Sequence, residues 1–148
     1  MSPTRRQALI GALALAALPL AARASGGPAL HVYRSAGCGC CGAWMEHMRR
    51  AGFVVTATET DDLDPIKARL GVPGALESCH TATVGGYVVE GHVPASDVLR
   101  LHAEKPTAVG LAVPGMPIGS PGMEQGATRE PYAVILFAGR ERKVFARH

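Results

Sequence analysis

Three of the four cysteines in this chain, Cys38, Cys40 and Cys41, fall within four positions, and the fourth, Cys79, stands far away along the sequence. That distribution limits the fold before anything else does. Disulfides between neighbours close small loops and tie no distant segments together, so the chain must hold itself up with an apolar core. It has the means: 148 residues are enough for one domain with a substantial core and too few for two comfortable ones, and 47% of them are apolar.

The spacing of apolar residues gives the elements. "LHVYRS" (30–35) carries the strand formers Val32 and Tyr33 and reads as a first strand, with the cysteine segment directly after it. From about Gly42, the residues Trp44, Met45, Met48 and Ala51 recur at helical spacing as far as Gly52, which suits a helix end. "FVVTATET" (53–60) is β-branched and alternating, a second strand. In "DPIKARLG", Asp64 suits a cap, Pro65 the first helical position and Gly71 the close of a short helix. "TATV" and "YVVE" flank Gly85-Gly86 as a hairpin, and "SDVLRLHAEK" reads as a third helix with Ser96 as its cap.

The resulting order, β, α, β, α, β, β, α, is that of an α/β domain of thioredoxin-like type with a right-handed first crossover. Residues 106–131 are a long Gly/Pro/Met loop, too long for an ordinary connection and therefore a functional or wrapping loop. "YAVILF" and "KVFA" around Gly139 end the chain as a C-terminal β-hairpin.

Residues 1–24 are a segment of another kind. They run from a basic end through an Ala/Leu-rich stretch to the small-residue pattern Ala22-Arg23-Ala24, which reads as a cleaved export signal. The uncharged run from Ala8 to Ala22 is 15 residues, short of the roughly 20 that a spanning helix needs. Arg5-Arg6 with a weakly hydrophobic core resembles a twin-arginine signal, although Ala8 stands where a bulky residue is usual, so the Sec and twin-arginine routes both remain open. Cleavage leaves residues 25–148 as one domain in the periplasm. With the signal go three of the fifteen basic residues and none of the twelve acidic ones, and the remainder is balanced. A balanced chain without a basic stripe gives no electrostatic footing for nucleic acid or an anionic membrane.

Export places the thiols where disulfides persist, so two structural bridges are one reading of four cysteines. A second is redox chemistry, because Cys38-x-x-Cys41 has the spacing of a thiol-disulfide oxidoreductase. Two features weigh against it: Cys40 is a competing thiol inside the pair, and Cys79-His80 stands where such enzymes usually place a cis-proline. The third reading is metal binding. At a helix N-terminus the unpaired backbone N–H groups and the helix dipole favour thiolates, and if Cys79 opens the strand beside the first one, four sulfurs converge. Soft thiolates select Cu(I), Zn(II) or an iron-sulfur cluster. A Cys-x-Cys-Cys run plus one cysteine is an awkward chelate for one tetrahedral zinc ion. Cu(I) accepts two or three sulfurs and shares bridging thiolates, so adjacent Cys40 and Cys41 can serve neighbouring ions.

"CGCCGAWMEHM", "ARLGVP", "SCHTATVGGYVVEGHVP" and "GLAVPGMPIGSPGME" together resemble the CopG-like proteins of bacterial copper-resistance systems, small exported metal-binding proteins of thioredoxin-like fold. The resemblance implies that Cys38, Cys40, Cys41 and Cys79 bind copper as a thiolate-bridged Cu(I) site of more than one ion, with periplasmic copper chaperones or exporters as partners. It supplies no settled reaction, the family being better known for binding copper than for turnover, and a change of copper oxidation state is a further option.

Around that centre, His80 adjoins Cys79 and is counted as a ligand or sulfur hydrogen-bond partner, and Met116 and Met123, in "PGMP" and "PGME", as soft thioether donors. His47 reads as a helix-surface residue, His92 as part of the turn after the hairpin, Met45 and Met48 as core, and Trp44 as packing beside the cysteines.

Overall fold

In a computed structural model, which describes residues 26–148, the chain forms one seven-stranded mixed sheet with three α-helices. The export segment and its cleavage before Ser25 lie outside the described residues. The first half runs β1 (Ala29–Arg34), α1 (Gly39–Arg50), β2 (Val54–Glu59), α2 (Asp64–Leu70), β3 (His80–Val84), β4 (Tyr87–Glu90) and α3 (Ala95–Glu104). This is the order read from the apolar spacing. The chain then adds β5 (Gly110–Ala112), β6 (Ala133–Ala138) and β7 (Glu141–Arg147).

The sheet order is β2-β1-β3-β4-β5-β6-β7. The pairs β1/β2 and β4/β5 are parallel and the others antiparallel. Leu30, Val32, Ala82, Val84 and Val89 from the central strands pack with Trp44, Met45 and Met48 of α1 and Val98 and Leu101 of α3 in the main core. Among the described residues no helix is long and apolar enough to cross a membrane.

Three details depart from the sequence reading, each for a local reason. First, β2 alternates in sequence yet is largely exposed, because it is an edge strand with a neighbour on one side only. Second, the long loop begins with a strand: β5 inserts Gly110-Leu111-Ala112 between β4 and β6. Three fully buried residues are too few to show a period, and Gly110 sits so close to the Val88 carbonyl that a Cβ would collide with it.

Third, Ser96 does not cap α3. The helix starts at Ala95, and the Ala95 N–H donates to His47 Nε2 of α1 at 3.0 Å. His47 is therefore a cap supplied by a neighbouring helix. Burial, then the Arg50 charge, holds its imidazole below the usual histidine range, while Glu124 pulls the other way. The neutral form is the one that accepts the hydrogen bond. Its contribution is complete above the unfolded-state value near 6.5 and is lost as the pH falls below that through the folded value. His47→Ala should cost about 1 kcal/mol at pH 7.5, with the gap to wild type narrowing by pH 5. Denaturant midpoints at the two pH values are the measurement, and an equal gap at both would rule the cap out.

Candidate metal centre

The cysteine segment is set by the turn between β1 and α1. Cys38 is the N-cap residue of α1, with extended backbone, and Cys40 and Cys41 lie in the first helical turn. Helix α1 begins three residues earlier than its apolar spacing suggests, because glycine and cysteine carry no amphipathic signal there. Arg34 fixes the turn from below, donating to the Cys38 carbonyl at 3.2 Å while pairing with Glu59 of β2 at 2.6 Å.

Cys79 arrives from the other direction, one residue before β3, which pairs with β1. Behind it lies a buried polar network. Lys67 of α2 pairs with Glu90 of β4 and donates to Thr81 Oγ1 at 3.0 Å. The Glu90 carboxylate accepts the Ser78 N–H and the Thr81 hydroxyl, each at 2.6 Å. The residue preceding Cys79 is thus tied to the sheet by its backbone.

The result brings all four sulfurs within 4.8 Å of one another. Cys40 Sγ lies 3.5 Å from Cys38 Sγ and 3.8 Å from Cys79 Sγ, and Cys41 Sγ lies 3.6 Å from Cys79 Sγ. Cys38 and Cys41 are joined as a disulfide, while Cys40 and Cys79 are free thiols. The arrangement is not a framework of two structural bridges, since its one disulfide links residues of the same turn. Burial, then the neighbouring Cys40, pushes the Cys79 thiol up to about 12. A thiol held up in this way gives up its proton when a soft metal ion binds it.

The histidines divide in an unexpected way. His80 is fully buried, its ring centroid 4.4 Å from that of Trp44 and its Nδ1 3.3 Å from Cys79 Sγ. Its Nε2 is buried without a hydrogen-bond partner. His92 is equally buried and closer, with Nε2 3.0 Å from Cys79 Sγ. Sequence reasoning missed His92 because it was assigned to a turn. It does follow β4 directly, but the turn folds inward against Cys79. Its only sequence signal was its place twelve residues after His80, across a hairpin whose strands return to the same end.

The long loop reaches the same place. The Pro121 carbonyl accepts from His92 Nδ1 at 2.8 Å, and Gly122 packs on the backbone of Cys40 and Trp44. Met123 follows that glycine and is half-buried. Met116 is 50% exposed and follows Gly115, whose carbonyl accepts the Ser78 hydroxyl next to Cys79. Each methionine therefore follows a glycine anchored beside a cysteine of the cluster. Two cavities among the described residues lie away from the cysteines, over β6 and β7.

Two solved structures share this architecture. Both are described as copper resistance protein CopG, forms 1 and 2. Each is 46% identical to this chain, with a TM-score of 0.78, and the match covers 82% of this chain and 98% of the other. The chain belongs to the CopG family. Residues 76–123 of this CopG-family chain also match a family model described as a protein of unknown function, DUF411. That span contains Cys79, His80, His92 and the loop methionines but not the cysteine run. No curated protein sequence matches the chain.

Proposed function

We propose that this chain is an exported copper-binding protein of the periplasm, which sequesters or relays Cu(I) in copper resistance through a thiolate-bridged site. The observation that carries the reading is the convergence of four sulfurs, three of them from one helical turn, within 4.8 Å. The CopG relatives are named for copper resistance, and crowded soft donors favour Cu(I) over hard cations. Copper is the cargo. Cys38, Cys40, Cys41 and Cys79 are its ligands, with His80, Met116 and Met123 as further donors from the sequence reading. Donor and acceptor partners would be periplasmic copper chaperones or exporters.

Loading requires the Cys38–Cys41 bond to be reduced, because all four sulfurs serve as thiolates. The adjacency of Cys40 and Cys41 then sets the stoichiometry, since two neighbouring residues in one turn are better placed on two ions that share a bridging sulfur than on one. Reduced protein loaded anaerobically should bind more than one Cu(I) per chain, cooperatively, and Cys40→Ser, Cys41→Ser or Cys79→Ser should each lower the count. Metal analysis after gel filtration reads the result, and a single ion per chain in all four proteins would exclude the bridged site.

The disulfide itself favours a second reading, a thiol-disulfide oxidoreductase using Cys38 and Cys41. Protein that takes up no copper but reduces protein disulfides, with Cys40→Ser fully active, would establish it.

A further inference from the structure

We propose that the free edge of β2 is a docking surface for a second copy of this chain, the two strands pairing antiparallel about a two-fold axis at Ala57. The inference rests on the sheet and does not depend on the copper-binding reading.

The sheet has two edges, β2 and β7, and they differ in how they meet solvent. The β7 hairpin carries Arg140, Arg142, Lys143 and Arg147, and its register against β6 shifts between Val134 and Ile135. Charges and bulges are the devices that stop an edge from pairing again. β2 has neither. From Val54 to Thr58 it holds no charge, proline or glycine, and its register against β1 runs unbroken from Ala29↔Val54 to Arg34↔Glu59. The Val54 N–H donates to the Pro28 carbonyl at 3.1 Å and the Thr60 N–H to the Arg34 carbonyl at 2.9 Å. Backbone groups alternate along a strand, so the N–H and C=O groups of Val55, Ala57 and Glu59 point away from β1, where the sheet has no further strand.

Charge decides which strand fits there. The edge is preceded by Arg49 and Arg50 at the end of α1 and followed by Glu59, Asp61, Asp62 and Asp64. Among the described residues Arg50 and the three aspartates form no ion pair. A parallel copy would set like charges together, whereas an antiparallel copy sets each basic end against the other's acidic end. With the axis at Ala57, Val55 lies opposite Glu59 of the second copy, and that carboxylate is already paired with its own Arg34 at 2.6 Å.

The hydroxyls match as well. Thr56 Oγ1 lies 2.8 Å from His31 Nδ1 and Thr58 Oγ1 3.0 Å from His31 Nε2. A neutral imidazole has one N–H and one lone pair, so in either tautomer one threonine accepts and the other donates. The accepting threonine keeps a free O–H, and the donating one keeps free lone pairs. The two-fold axis puts Thr56 opposite Thr58 of the second copy in the closely spaced, non-hydrogen-bonded class of pair. Donor therefore meets acceptor on both sides of the axis. Such pairing closes at two, because it uses both β2 edges and leaves only the guarded β7 edges outside. The copies run in opposite directions, so the two cysteine clusters, each at the C-terminal end of its β1, lie at opposite ends of the joined sheet.

One short strand per copy buries an area at the low end for specific contacts, so the purified protein should sediment as a monomer in exchange with a dimer, with Kd of about 1–100 μM. Ala57→Lys, which sets like charges across the axis at an exposed position, should weaken association at least tenfold. Val144→Lys, on the exposed opposite edge, should leave it unchanged. Amide hydrogen exchange at Val55, Ala57 and Glu59 of wild type should slow at least tenfold between dilute and concentrated samples, a measurement that needs no variant. Wild type that stays monomeric up to about 1 mM, or that forms a ladder of larger species, would overturn the proposal. So would a dimer that Val144→Lys disrupts and Ala57→Lys leaves intact. Exchange at those three amides that ignores concentration overturns it too, even if Ala57→Lys fails to fold.

Discussion

Lys67→Met should destabilise the protein by about 3–5 kcal/mol at neutral pH, the cost of leaving one member of a buried ion pair without its partner. Lys67 is 3% exposed and Glu90 0%, so neither charge has water to fall back on. Burial already pushes the Glu90 carboxyl up from its ordinary value, and Lys67 and Thr81 are what hold it down. Without Lys67 the carboxyl rises further. A group raised in the folded state stabilises fully below its unfolded value and loses that contribution as the pH climbs through the folded one. The deficit of Lys67→Met should therefore be smaller at pH 5 than at pH 8, and Glu90→Gln added to it should recover much of the loss. Denaturant midpoints of both variants at both pH values make the test. A deficit that ignores pH, or a double variant no better than the single, would mean that the pair is not what supports α2 on the sheet. The Ser78 N–H shares the same carboxylate, so the damage should extend to the segment that carries Cys79.

Gly122→Ala should cost roughly 1–3 kcal/mol through overpacking and lift the loop from α1. Gly122 has φ +86°, and a Cβ there would sit 2.7 Å from Trp44 N and 2.8 Å from the Cys40 carbonyl oxygen, both backbone atoms that cannot turn aside. Gly126 is the control, since it also has positive φ, at +58°, but open space around it. Alanine at 126 should cost only the backbone term, about 1–2 kcal/mol. Trp44 is the sole tryptophan of the chain and is fully buried. Its emission should shift to the red in Gly122→Ala and stay unchanged in Gly126→Ala. Identical spectra and stabilities for the two would show that the contact with the cysteine turn carries no energy.

The sequence was most informative where one physical signal acted alone. Gly85-Gly86, with φ +53° and +87°, form the hairpin turn expected of two adjacent glycines. Gly71, at φ +74°, ends α2 as read. The four cysteines were legible as one cluster because the strand order, once read, leaves few places for Cys79. Signals that depend on partners from elsewhere were not legible. Nothing near Ser96 or Ala95 announces that His47, 48 positions away, supplies the cap. Lys67 carries no mark in the sequence, and only the packing of α2 over β4 buries it against Glu90. His92 carried no local mark, because its place beside Cys79 depends on a turn that folds inward and on a carbonyl 29 positions further along. The apolar pattern of α1 starts only at about Gly42, because Gly39, Cys40 and Cys41, which form its first turn, carry no periodic signal.

The bond between Cys38 and Cys41 joins residues whose Cα atoms lie 5.3 Å apart at the start of one helix, three positions apart in sequence. A crosslink of that span removes little freedom from the unfolded chain compared with one that closes a long loop, and neither core cluster includes Cys38 or Cys41. Making or breaking it should therefore be a local event at the start of α1. The same folded chain can therefore wait in oxidising surroundings with two sulfurs shielded from the irreversible steps of thiol oxidation. A two-electron reductant then opens it, with no need for refolding before the four thiols can act together.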